Sequence, residues 1–159
     1  MKKILSSVFL GALLTIGSAV IAAETATDPV LGTWKLNVEK SKFSAGRALN
    51  SQTRTYSQSA QSITLNMKTV GADGKETTAQ TTYHLDGKDY PVTGAPDYDS
   101  LSGKQINTNS AEFTLKRAGK AVGTTRRTVS KDGKTLTATI KVTNAKGEKL
   151  EDLMVFDKQ

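Results

Sequence analysis

Turn signals recur along this chain at short intervals, and the runs between them alternate apolar and polar residues; together these two features restrict the fold more than any other. The signals are "ADGK" at 72–75, "LDGK" at 85–88, "NTNS" at 107–110, "AGK" at 118–120, "SKDGK" at 130–134 and "AKGE" at 145–148. Gly, Asn and Asp accept the left-handed backbone that tight hairpins demand. Between the turns, "SITLNMKTV" puts Ile63, Leu65 and Met67 on one face and Ser62, Thr64, Asn66 and Lys68 on the other. "TLTATIKVT" repeats the pattern, with Leu136, Ala138, Ile140 and Val142 against Thr135, Thr137, Thr139, Lys141 and Thr143, and "AEFTLKR" offers Phe113 and Leu115. A period of two is that of a half-buried strand. The pattern predicts an all-β chain of about eight to ten short antiparallel strands, with at most a turn of helix or coil near "VEKSKFSAG".

A run of hairpins has two edge strands to hide, and closing the sheet into an up-and-down antiparallel β-barrel hides both. A Greek-key sandwich is the competing arrangement. It needs at least one long crossing connection, and the long irregular stretches here are 39–50 and 91–99. A transmembrane barrel would carry an apolar outer band, whereas the second face of nearly every run is Thr, Ser, Lys, Asn or Glu.

The strands come after a different kind of segment. Met1 to Ala23 has Lys2 and Lys3 in front of the apolar run "ILSSVFLGALLTIGSAVIAA". This reads as a signal peptide over 1–23 cleaved before Glu24, leaving a domain over 24–159 and placing the protein in the periplasm or outside the cell. An uncleaved anchor is the other reading, which Ser6, Ser7, Gly11, Gly17 and Ser18 weaken by diluting the run. The chain has no cysteine, so disulfides cannot hold it and the core must. Removing Lys2 and Lys3 from the 22 basic residues leaves 20 against 15 acidic ones, a net charge of about +5. The basic residues are scattered and lack interleaved aromatics, so no nucleic-acid surface is expected.

The one tryptophan stands in "LGTWKLN" at the start of the first expected strand, with Trp34, Leu36 and Val38 on one face and Thr33, Lys35 and Asn37 on the other. A large ring entering a barrel beside Gly32 can plug its closed end, its indole N–H needing one partner. The Gly32-Thr33-Trp34 triplet is similar to the G-x-W signature of lipocalins and the wider calycin group, which includes fatty-acid-binding proteins. "GTWKLNVEKSKFSAG" resembles the opening of small exported bacterial proteins described as lipocalin-like. The resemblance implies a lipocalin-like or fatty-acid-binding-protein-like barrel able to hold a small apolar molecule. It does not identify that molecule. The T-D-Y motif of classical lipocalins is absent, its nearest string being Asp97-Tyr98-Asp99, and the R-x-Y of many fatty-acid-binding proteins would fall on Met154, Val155 and Phe156.

Catalytic and metal chemistry find few residues to use. His84 is the one histidine and has no G-x-S-x-G serine to serve, so no catalytic residue is assigned. No metal site or cofactor is expected: nitrogen and sulfur ligands are lacking, and Asp86, Asp89, Asp97 and Asp99 fit no calcium-loop spacing and read as solvated turn residues. Trp34, Phe43, Tyr83 and Phe113 read as core, and in a barrel those near the mouth also line any cavity. Thr77, Thr81 and Thr125 on apolar faces suggest a partly wet interior.

"TTRRTVSKDGKTLTA" sets Arg126 beside Arg127, and alternation turns one of them inward. A two-residue Asp132-Gly133 turn would pair Val129 with Leu136 and bury Arg127; a turn starting at Ser130 and followed by a bulge would bury Arg126 instead. The first register is the better packed. An inward guanidinium must either pair within the core or await an anionic head group. The expected ligand-contacting residues are therefore Trp34, Tyr83, Phe113 and Arg127. The leading functional expectation is an exported, monomeric, non-enzymatic binder of a small hydrophobic or amphipathic ligand. The alternative is a solid barrel that binds a partner through its loops 44–50 and 91–99.

Overall fold

A computed structural model of the protein describes residues 27–159, so the expected signal peptide lies outside the described residues. Ten strands follow one another: β1 (Gly32–Leu36), β2 (Leu49–Ser59), β3 (Ser62–Gly71), β4 (Glu76–Tyr83) and β5 (Asp86–Thr93). They continue as β6 (Ser100–Asn107), β7 (Ser110–Arg117), β8 (Lys120–Val129), β9 (Thr135–Thr143) and β10 (Lys149–Lys158). Each pairs antiparallel with its sequence neighbours, and β1 pairs with β10 to close an up-and-down barrel. The sandwich is thereby excluded. No helix occurs among the described residues, and "VEKSKFSAG" is coil with turns.

Alternation places the expected residues. Ile63, Leu65, Phe113, Leu115, Leu136, Ala138 and Val142 are all buried. Val38 is a correction, because it is 43% exposed. The strand stops at Leu36, where Asn37 accepts the Lys40 amide on its side chain at 3.1 Å and the Ser41 amide bonds the Val38 carbonyl at 3.1 Å, so the chain bulges outward. It returns to β10 at Lys42, which exchanges both backbone bonds with Leu153 at 2.7 and 2.8 Å. The long 37–48 connection therefore prolongs the barrel wall along β10 rather than crossing it.

Two turn readings also change. The Asp86-Gly87 signal is inside β5, where the register against β6 shifts between Asp86 and Asp89, so it marks a bulge and not a hairpin tip. At 130–134 the turn begins at Ser130, whose carbonyl accepts the Gly133 amide at 2.9 Å, and Gly133 takes the left-handed φ of +70°. Ser130 and Thr135 still face each other across this four-residue loop, their backbone bond being 2.8 Å, so no bulge follows. The register is Val129↔Leu136 and Arg127↔Ala138. Arg127 is buried and Arg126 exposed.

Candidate functional site

The barrel has a plugged base and an open mouth. The chain enters across the base at Asp28–Leu31, with Val30 and Trp34 both fully buried. The indole Nε1–H of Trp34 donates to the Val30 carbonyl at 2.6 Å, which supplies the one partner the ring needs. The Lys158 ammonium lies 5.0 Å from the Trp34 ring centroid. Gly32 takes φ +116°, a backbone conformation that a side chain disfavours, and a Cβ there would stand 3.2 Å from the Lys158 stem.

Arg127 is locked into the same plug. Its Nη2 donates to Asp28 Oδ2 at 2.6 Å and its Nη1 to Asp28 Oδ1 at 3.3 Å, while Asp28 Oδ1 also accepts the Val30 amide at 2.9 Å. Of the two roles open to an inward arginine, pairing within the core is the one its contacts display. The guanidinium lies 5.7 Å from the Tyr56 ring and 5.9 Å from the Phe113 ring. Phe113 meets Tyr83 edge-on at 5.2 Å, and Gly103 leaves the space for its ring, since a Cβ there would come within 2.5 Å of it. The Tyr83 hydroxyl and Arg127 Nε have no hydrogen-bond partner among the described residues. Burial pushes the Tyr83 phenol well above its usual range.

Above this floor lie two voids. A small inner one of about 40 Å³ touches Tyr83, Phe113, Arg127, Thr81, Thr125 and Arg54. A larger one of about 480 Å³ opens at the far end, between Phe43, Arg47, Leu49, Thr77, Ala95 and Asp152. Arg54, Met67, Tyr98 and Ile140 border both, so the two are adjacent parts of one interior. Of the four expected ligand residues, Tyr83, Phe113 and Arg127 line the inner void, and Trp34 lies beneath it, lining neither. Thr77, Thr81 and Thr125 all border the voids, in keeping with a partly polar interior.

The mouth is held by a charge cluster. Arg47 donates to Asp97 at 2.6 Å and to Asp152 at 2.7 Å, tying the β1–β2 connection to the β5–β6 connection and to β10. Asp152 also accepts the Ser44 amide at 2.8 Å, and the Arg117 guanidinium donates to the Asp97 carbonyl. Asp97 is therefore a correction: it is buried, held by Arg47 and not by solvent.

Three inward polar residues carry no signal in the sequence reading: Gln52 and Arg54 on β2 and Asp152 on β10, which are 7%, 6% and 3% exposed. Arg54 faces Trp34 and Met67 in the register, and these inward neighbours assign its face. Its Nε–H donates to Gln52 Oε1 at 2.8 Å, and Gln52 donates in turn to Thr69 Oγ1 at 2.8 Å. One face of the guanidinium stacks on Phe156 at 4.5 Å, and its Nη2 reaches the Met154 thioether at 3.8 Å.

His84 lies between β4 and β5 with its ring 5.6 Å from that of Tyr90, and makes no side-chain hydrogen bond among the described residues. Among those residues no group of three or more His, Cys, Asp or Glu side chains is placed to share a metal ion. None of them forms a helix long and apolar enough to cross a membrane. A scan of protein-family models finds no match to this chain, and a search of curated proteins finds none either.

Proposed function

We propose that the protein is an exported, lipocalin-like carrier that holds one small hydrophobic or amphipathic molecule inside its barrel and performs no chemistry on it. The observation that carries this reading is the interior of about 480 Å³, open at one end and closed at the other by the Trp34 plug. That volume falls within the range of about 300–1,000 Å³ typical of small-molecule sites. Met67, Ile140, Met154 and Leu49 supply apolar wall, and the burial of apolar ligand surface against them drives binding at about 25 cal/mol per Å². Tyr83 and Phe113 form the floor, while Trp34 and Arg127 keep that floor rigid. A solid barrel that binds only through its loops would have no use for such an interior. Closure of β1 on β10 leaves no free strand edge, which supports a monomer.

Titration with the neutral apolar probe N-phenyl-1-naphthylamine tests the reading. Saturable fluorescence enhancement at one probe per chain, reversed by an excess of unlabelled dodecanoate, is the expected result. Absence of saturable enhancement from the folded protein would overturn the carrier reading.

A further inference from the structure

We propose that the ligand of this barrel is an amphipathic anion and that Arg54 receives its carboxylate. This rests on the carrier reading and names the chemistry of its polar end. Arg54 and Arg127 are the two guanidinium groups bordering the inner void, and they differ in one respect. Arg127 has its carboxylate in Asp28, on two hydrogen bonds. Among the described residues Arg54 has none: its bonds are one to the neutral Gln52 amide and one weak contact to a thioether.

The other buried carboxylates are committed elsewhere. Asp152 spends one oxygen on the Ser44 amide and the other on Arg47, and Asp97 is bound to Arg47 as well. An arginine only 6% exposed, with no carboxylate bonded to it among the described residues, is a costly arrangement unless it serves an incoming charge. The surroundings of Arg54 also orient it. Thr69 fixes Gln52, Gln52 fixes the Nε edge, and the Phe156 ring covers one face. The Nη1–Nη2 end remains, with one weak bond to the Met154 thioether, and Arg54 borders both voids. This is the end that receives a carboxylate in fork geometry. The bound tail would then run past Met67 and Ile140 towards the mouth.

The experiment is competition against N-phenyl-1-naphthylamine by dodecanoate and by dodecanol, which share a tail and differ in charge. In the native protein dodecanoate should displace the probe at a concentration about tenfold or more below that of dodecanol, the increment of a charge-assisted hydrogen bond. Arg54→Met should abolish that preference, and the exposed Arg126→Met should keep it. Arg54→Lys, which retains the charge without the fork, should show an intermediate preference and stands in if Arg54→Met does not fold. Equal displacement by the two competitors in the native protein, or a preference that survives Arg54→Met, would overturn the assignment while leaving the carrier intact. Failure of the probe to bind at all would overturn both.

Discussion

Trp34 and the Arg127–Asp28 pair do related work at the base of the barrel, and each can be tested alone. The indole is fully buried with its N–H satisfied by Val30, so emission from the native protein should be blue-shifted and shielded from acrylamide. Trp34→Ala should cost about 3–5 kcal/mol in a urea titration, because a plug braced by backbone on one side and by the barrel on the other cannot collapse into the hole. A red-shifted, readily quenched emission would contradict the plug. The ion pair behaves differently, since the loss of one partner strands a buried charge. Asp28→Asn leaves Arg127 without its carboxylate and should destabilise by about 3–5 kcal/mol. Arg127→Met added to it should restore most of that loss, and a double variant as unstable as the single one would show that the pair is not the cause.

At the scale of the elements, the hairpins explain both what the sequence revealed and what it hid. At 118–120 and 130–134, where Gly stands with Asp or Lys, the hairpin was legible from chemistry alone, whereas the like signal at 85–88 marks a bulge. The β2–β3 hairpin was not, because Ser59 pairs with Ser62 across Ala60 and Gln61, neither a customary turn residue. Ala60 is held there at φ +52° and Ala118 at φ +49° in the β7–β8 turn, a backbone region that a Cβ disfavours. Ala60→Gly and Ala118→Gly should each raise stability by up to about 1 kcal/mol, read as a higher melting temperature; a fall would show that the strain is absent. β2 was opaque for another reason. Its run "SQTRTYSQ" offers Tyr56 as the one apolar ring beside Gln52 and Arg54, too little for alternation to say which face was inside until pairing with Trp34 and Met67 decided it. Asp28, which pairs with Arg127, is 99 residues away in sequence and could be found only in three dimensions. Arg127 itself was legible, because Val129 opposite Leu136 is a packing argument available from the strand pattern.

The described residues form a wall of ten strands around an interior stoppered at one end by the segment entering at Asp28–Leu31 and bordered at the other by the Arg47 cluster. Its barrel closure followed from serial turns and period-two runs; the open interior did not, because alternation assigns residues inward without saying how much volume they leave unfilled. The central claim is that this volume is where the ligand sits. Ala79 pairs with Met67 on the neighbouring strand and borders the larger void, so Ala79→Phe projects a ring into that void while leaving Trp34, which lines neither void, in place. Calorimetric titration of dodecanoate into the native protein and into Ala79→Phe is the direct test. The account predicts one site per chain in the native protein and a loss of about tenfold or more in affinity in the folded variant. Equal affinity in the two would place any binding outside the barrel and contradict the account.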